Sequence, residues 1–567
     1  MSVSLSALKV PALRYRFSSE TLLKLLFLLA ALALMLIGLA LPLYTMLLKS
    51  LQNGAGDFIG LANYRHYFST PALANSIFNS FYIAILTMVL VVSLAFMCAY
   101  GITRTCMPGK RFFRVLTLLP ILAPSLLPAI SLVYIFGNQG YLKELLGGAS
   151  IYGPIGIVIG MCFWIFPHAL MILVTALSNS DARLYEAAKA MKTSAFRTFM
   201  TVTLPGVRYG LMSCSFVVFT LAITDFGVPK VIGGQYNLLA TDIYKQVVGQ
   251  QNFQMGAVVS VILLLPAVFT FIADRWVQRR QTSQLSARAV PYQPEPSRVR
   301  DWTFALLCYA VAGFILLIIG TAVYASLIQF WPYNLSFTLQ HYRFDGLGGN
   351  GWESWFNSLK MAGGVALIGT LVIFTNAWLV EKSKEFPVLR QSVHLFSILP
   401  MAVPGMVLGL AYIFFFNHPS NPLNFLYGTL AILILNTLIH FYTVCHLTSM
   451  TALKQLDPEF ESVGASLKVP FWRTYTRVTL PVSLPAVLDI SVYLFVNAMT
   501  TVSAVVFLYG PDTRLASVSV LHLDEAGYFA SAAAMAVLIL LTSMAVKVMH
   551  AGVTFLLLRK AQSWRQR

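Results

Sequence analysis

From Leu25 to Leu48 the chain carries no charged side chain. A helix rises about 1.5 Å per residue, so about 20 apolar residues cross a hydrocarbon core of about 30 Å. This run is long enough to span a membrane, and it has company. Further spans are expected near residues 79–103, 115–136, 152–177, 205–225 and 255–275. A second set is expected near 303–328, 357–380, 393–416, 425–450, 482–508 and 528–548. Composition agrees: 11% of the 567 residues are charged, against about 25% in soluble proteins. The fold class is an all-α polytopic membrane protein with about 12 transmembrane helices in two groups of six. A soluble enzyme and a disordered chain are excluded. Ala31-Leu32-Ala33 resembles a signal-peptidase site, but the apolar run continues to Leu48, beyond the about 7–15 residues of a signal core. The segment is read as an uncleaved first span.

A formal charge of +18 ordinarily suggests nucleic acid. Here it has another cause. With the N-terminus inside and spans alternating, most of the 39 Lys and Arg fall on one side, from Lys9, Arg14, Arg16 and Lys24 to Arg559, Lys560, Arg565 and Arg567. The other side keeps Lys49, Arg65, Lys143, Lys230, Lys245, Arg343 and Arg514. This is the positive-inside bias, and it predicts that both termini are cytoplasmic. The partners are membrane lipid and other proteins, not nucleic acid. Residues 276–301 are rich in Pro, Gln and Arg and cannot bury a core. Residues 281–301 are therefore read as a cytoplasmic linker between domains 1–280 and 302–567. The six cysteines have no paired spacing and are expected as free thiols.

The two groups repeat. Arg197-Thr198-Phe199-Met200-Thr201-Val202-Thr203-Leu204-Pro205 matches Arg473-Thr474-Tyr475-Thr476-Arg477-Val478-Thr479-Leu480-Pro481 at an offset of 276. Phe78-Asn79-Ser80 matches Phe356-Asn357-Ser358, and Pro120 and Pro124 match Pro400 and Pro404. Two six-helix units of equal orientation are expected, with a pathway between them. Pro120, Pro124 and Pro128 are expected on one helix, kinked and lining protein or a wet cavity.

Between spans four and five of each unit lies an amphipathic loop. Asp181 is placed to cap a helix from Arg183, with Leu184, Ala187, Ala188 and Met191 on one stripe. Thr193-Ser194 offers a second cap, and Pro470 stands at the matching place in the other unit. Two short helices presenting small residues outward are expected, to dock another protein or to rest on lipid headgroups.

Glu186-Ala187-Ala188 followed by Val202-Thr203-Leu204-Pro205 resembles the EAA loop of type I ABC importer permeases. Glu461-Ser462-Val463-Gly464 followed by Leu480-Pro481 is a looser copy, with Ser462 in the place of Glu186. Where that motif has Gly, the chain has Lys192 and Lys468. A left-handed backbone there would cost a Lys about 1–2 kcal/mol; otherwise the turn is built differently. The resemblance implies a tandem of two permease units coupled through these loops to two copies of a cytoplasmic ATPase. It also implies a periplasmic binding protein at the other face and a bacterial inner-membrane location. No cofactor is expected in this chain. ATP belongs to the partners, because the one Gly-Lys pair, Gly109-Lys110, lacks the rest of a P-loop.

The stretches Thr224-Asp225-Phe226-Gly227-Val228-Pro229-Lys230 and Thr500-Thr501-Val502-Ser503-Ala504 resemble those of fused permeases for 2-aminoethylphosphonate, with ferric-iron permeases as close relatives. On that resemblance the expected substrate is 2-aminoethylphosphonate, with ferric iron as the alternative. Thr220, Thr224, Asp225, Asn497, Thr500 and Thr501 are pathway or gate candidates. Asp225 has three readings: contact with an ammonium group, a gate with Lys230, or a helix cap. Asp489 is expected to pair with a loop cation. His440 and His446 are off one helical face, so no metal site is expected. A secondary carrier is the competing class, but it calls for mid-membrane ionisable groups, and few are present.

Overall fold

The computed structural model describes residues 19–282, 290, 292–344, 351–457 and 459–561. Lys9, Arg14, Arg16, Arg288, Arg565 and Arg567 of the charge argument lie outside the described residues. Among the described residues nine helices are long and apolar enough to cross a membrane, and three bent pairs bring the number to twelve. The first unit has α1 (Ser19–Ser50), α2 (Pro71–Arg104), α3 (Lys110–Leu122 bent into Leu126–Phe136), α4 (Pro154–Ser178), α5 (Ala195–Thr224) and α6 (Phe253–Thr282). The second has α7 (Arg298–Leu327), α8 (Gly351–Lys382), α9 (Pro387–Ala402 bent into Gly405–Phe416), α10 (Leu430–Lys454), α11 (Phe471–Val482 bent into Leu484–Thr500) and α12 (Phe529–Ala561). One antiparallel hairpin, β1 (Ile328–Phe330) with β2 (Asn334–Phe337), follows α7.

The prolines break α3 and α9 instead of kinking them gently. A residue before proline is driven from the helical to the extended region. Ala123, before Pro124, has φ −101° and ψ 145°. Val403, before Pro404, has φ −107° and ψ 114°. The chain turns by 101° in α3 and 113° in α9. The expectation of three prolines on one helix is thus corrected: Pro120 and Pro128 lie on opposite sides of the bend. The span expected at 482–508 also ends early, at Thr500.

Within each unit the second helix is the hub: α2 packs on α4 and α5, and α8 packs on α10 and α11. The Phe-Asn-Ser repeat has a clear physical role there. Ser80 Oγ accepts the Leu239 N–H and Ser358 Oγ accepts the Ala516 N–H, both at 2.8 Å. Asn79 donates to the Asn237 carbonyl and Asn357 to that of Asp512. The motif thus pins a short helix, Leu239–Tyr244 or Ala516–Glu525, at the end of the hub helix.

The first helix of each unit crosses to the other. α1 packs on α8 and α9 as well as α6, and α7 packs on α2 and α3 as well as α12. Tyr412 donates to the Gly38 carbonyl at 2.7 Å, and Tyr309 to that of Pro108 at 3.1 Å. Gly38 is glycine for close approach: a Cβ there would lie 2.8 Å from Ile439. Lys24 of α1 meets Glu385 of the second unit at 2.8 Å.

Candidate functional site: paired loops and the cavity between the units

The loops after α4 and α10 fold alike. Asp181 accepts the Arg183 N–H at 3.1 Å and caps Ala182–Ala190. Lys192 then takes φ 52°, and Lys468 takes φ 54°. Both sit in the left-handed region that the glycine of the motif would fill freely. The backbone closure is shared: Thr193 N–H donates to the Ala188 carbonyl and Val469 N–H to that of Gly464. Ser194 caps Ala195–Thr198, and Pro470 stands before Phe471–Thr474. Each loop then runs through one π turn, Phe199–Thr203 or Tyr475–Thr479, before Leu-Pro. Proline lacks the N–H for an i−4 bond and its ring crowds that carbonyl, so the preceding turn widens.

The outward faces mix small residues, among them Ala187, Ala190 and Ser462, with large apolar ones, and the expectation of small residues outward is corrected only at Ala188 and Gly464. Ala188 is 3% exposed, and a Cβ on its counterpart Gly464 would lie 2.9 Å from Thr474 Oγ1. Small residues are needed inward, where the loop closes on itself. The exposed set is Leu184, Ala187, Met191 and Phe196 in the first loop, and Phe460, Val463, Leu467 and Trp472 in the second. Each pair is separated by 276 residues. Met191 and Leu467 are 70% and 71% exposed. Two equivalent apolar patches thus face out at one end of the molecule, with Glu186 exposed beside the first.

The helices behind the patches are braced differently. Arg104, at the end of α2, is buried, donates to the Leu177 carbonyl at 2.8 Å and stacks 4.8 Å from the Tyr185 ring. At the end of α8, Lys382 donates to the Leu456 carbonyl at 3.1 Å and pairs with Glu461 at 3.5 Å. Glu461 occupies the place of Tyr185, so it braces the loop and does not stand in for Glu186. Sequence reasoning missed both braces. The available signal was a basic residue closing each hub helix at the Phe-Asn-Ser offset.

A cavity of about 350 Å³ lies between the units. Its lining includes all six pathway candidates: Thr220, Thr224, Asp225, Asn497, Thr500 and Thr501. The proline breaks contribute Pro120, Pro400 and Pro404, and His168, His440 and Asp274 complete its ionisable lining. Several donors of this lining are spent on the protein itself. Thr220, Thr224 and Thr500 donate to the carbonyls four residues back, at 2.9, 2.8 and 3.0 Å. Asn497 donates its amide to the Tyr493 carbonyl. What remains on the three hydroxyls are acceptor lone pairs, and Asn497 keeps its amide oxygen and one N–H. Among the described residues no Lys or Arg lines the cavity.

Asp225 is a cap: its carboxylate accepts the Val228 N–H at 3.2 Å. The gate with Lys230 is replaced by a contact between units, in which Lys230 meets Glu525 at 2.7 Å and lies over the Tyr244 ring. Tyr244 in turn stacks on Phe507 of the second unit. Asp489 meets His550 of α12, not a loop cation. His446 hydrogen-bonds His394 at 3.1 Å, apart from His440. Among the described residues no three His, Cys, Asp or Glu side chains gather to hold a metal ion.

Duplicated six-span units, paired loops and a shared cavity are the architecture of a transport subunit. The family of binding-protein-dependent transport system inner membrane components matches residues 107–283 and again 375–554. The chain belongs to this family. A putative ferric transport system permease of Haemophilus influenzae is 30% identical over 78% of this chain and 71% of its own length. A second Haemophilus protein, an Fe(3+)-transport system permease, is 23% identical over 91% of this chain and 96% of its own length. A probable sulfate transport system permease of Nephroselmis olivacea is 24% identical over 43% of this chain and 86% of its own length. Membership of this family implies partnership with an ATPase and a substrate-binding protein. This binding-protein-dependent permease is thus a multi-pass membrane transport subunit with two copies of the family unit.

Proposed function

We propose that this permease conducts ferric iron, as cargo of an ABC importer, along the acceptor-lined cavity between its units. The observation that carries the reading is the lining. Thr220, Thr224 and Thr500 spend their donors on their own helices and keep acceptors, Asn497 adds its amide oxygen, Asp225 and Asp274 add carboxylates, and no Lys or Arg is present among the described lining residues. Such a wall suits a cation. The phosphonate group of 2-aminoethylphosphonate calls for donors or cations, so only its ammonium end suits this lining. The two Haemophilus relatives, both named as ferric transport permeases, point the same way.

In this reading each apolar patch receives one copy of a cytoplasmic ATPase, and ATP binds there and not on this chain. Glu186, Ala187, Ala188, Lys192, Leu204 and Pro205 form the first coupling loop. Glu461, Gly464, Lys468, Leu480 and Pro481 form the second. The clustering of Arg183, Lys189, Lys192, Arg197, Lys468, Arg473 and Arg477 at the loop end supports a cytoplasmic placement of that end and of both termini. A periplasmic binding protein delivers cargo at the opposite end, where Lys230–Glu525 closes one unit on the other. Domains 1–280 and 302–567 form the two walls, joined by 281–301.

The test is uptake by proteoliposomes holding the permease, its ATPase and its binding protein. ATP-dependent uptake of radiolabelled ferric iron, unaffected by excess 2-aminoethylphosphonate, is expected. Uptake of the phosphonate instead overturns the substrate. Lys230→Glu is expected to impair uptake and the double exchange with Glu525→Lys to restore it. Failure of the exchange to restore uptake removes the pair from the closure. Asp225→Asn keeps a capping oxygen and removes the charge. A fall in iron uptake at unchanged stability is expected, and unchanged uptake leaves Asp225 as a cap alone.

A further inference from the structure

The described residues of the linker run along the first docking helix instead of away from it. The Val290 carbonyl accepts the Ala182 N–H at 2.9 Å, and the Val290 N–H reaches Asp181 Oδ1 at 3.4 Å. The first turn of a helix has donors with no intrahelical partner, and here the linker supplies one acceptor. The Tyr292 ring lies 4.6 Å from that of Tyr185. The Arg104 guanidinium lies 4.5 Å from the Tyr292 centroid and 4.8 Å from that of Tyr185, so both rings hold one buried cation. Glu295 pairs with Lys189 farther along the helix. Both of those side chains are exposed, so the pair is screened and the stack is the firmer contact. The segment ends in the first turn of α7, where the Asp301 carboxylate takes the N–H groups of Cys106 at 3.0 Å and Ser297 at 2.9 Å.

We infer that Tyr292 is a positioning residue for the first docking helix, and that the linker ties movement of that helix to α7, the first helix of the second unit. The inference rests on the reading that the docking helices receive ATPases. The second docking helix is held by Lys382–Glu461, and no described linker segment lies along it. The two coupling sites are thereby tied to the opposite unit by different devices: the first through the linker to α7, the second through Lys24 of α1, which meets Glu385 at 2.8 Å and lies 5.4 Å from the Phe471 ring centroid.

The experiment uses the whole permease in lipid nanodiscs, with Tyr292→Ala and Tyr292→Phe. Amide exchange across residues 183–190 is expected to quicken about threefold in Tyr292→Ala. It is expected to stay at the parent rate across 459–466, and in Tyr292→Phe. This readout needs no ATPase. With the ATPase bound, Tyr292→Ala is expected to lower transport per ATP hydrolysed about threefold, while Tyr292→Phe keeps it. Unchanged exchange at 183–190, or equal quickening in both helices, overturns the positioning role. Local quickening with unchanged transport per ATP overturns the tie to α7. Glu295→Lys, at an exposed side chain that folding tolerates, is expected to act in the same direction and more weakly; no local effect in either variant sinks the proposal. A photo-cross-linking residue in place of Met191 or Leu467 reports separately on ATPase docking. Its failure at both places in the parent chain would count against the docking reading and leave the exchange result standing.

Discussion

The two docking loops share a backbone and differ in what holds them. Both use a left-handed lysine, a π turn and a Leu-Pro step, and both present four apolar side chains at matched positions. Behind that common surface the first loop rests on an arginine between two tyrosine rings, and the second on a lysine paired with a glutamate. The helix that follows is continuous in the first unit and bent by 77° in the second. What is kept is the exposed apolar surface and the turns that shape it. What has diverged is the attachment to the rest of the protein, where any contact of sufficient strength serves.

The largest expected effect breaks the shared part. Ala188→Trp places a large ring where the loop closes on itself, and overpacking of this kind costs about 1–3 kcal/mol or more. Transport is expected to be lost together with a lower melting temperature in detergent. Glu186→Ala, by contrast, removes an exposed side chain and is expected to lower transport with melting unchanged. If both variants melt like the parent, the inward placement of Ala188 is wrong. Next come the braces. Glu461→Ala leaves the Lys382 ammonium with the Leu456 carbonyl alone, and loss of a hydrogen bond to a charged group costs about 1.5–3 kcal/mol. Arg104→Lys keeps the charge but loses the planar stack, at about 1 kcal/mol. Amide exchange is expected to rise in the second loop for the former and in the first for the latter. A crossed result would show that the two braces are not equivalent devices.

Smaller still is the release of backbone strain. Lys192→Gly and Lys468→Gly relax a left-handed residue, and each is expected to stabilise its loop by at most about 1 kcal/mol after the entropy of glycine is counted. Exchange in the two loops should slow by similar factors; a response in one alone would mean that the turns are not alike. The smallest effect concerns Lys24–Glu385. Burial pushes the Glu385 carboxyl up, but the Lys24 hydrogen bond and neighbouring N–H groups outweigh it and leave it below the ordinary 4.5. A carboxylate with a depressed value stabilises the fold above its unfolded value and loses that contribution as pH falls through the folded one. Docking of α1 on the second unit is therefore expected to loosen only below about pH 4.5. Glu385→Gln should remove that acid-side dependence and show at neutral pH the slight loosening that the parent shows only in acid.

Much of this was legible in the chain. Apolar runs gave the spans, and a constant offset gave the duplication, because both are local or strictly repeated. The left-handed turn was readable at Lys192 and Lys468, since a motif glycine marks a backbone requirement that survives its replacement. Less legible were features that depend on contacts between distant segments. Nothing near Pro124 or Pro404 tells a kink from a turn of about a right angle, because the angle depends on what the second arm packs against. Lys230 and Glu525 carry no common pattern, yet they meet. Tyr292 carries no signal in a proline-rich stretch that is read from composition, and composition reports the absence of a core and not the presence of a neighbour.

The crossing of α1 and α7 carries a consequence for assembly. Each unit has lent its first helix to the other, so covalent continuity is not what keeps them together. A chain opened between residues 283 and 289 would become two polypeptides that still clasp each other, each incomplete without its neighbour. Tyr292 would travel with the second polypeptide and continue to grip a helix on the first. Fusion of the two into one chain then matters less for cohesion than for guaranteeing equal supply, with each unit made alongside the only partner that can complete it.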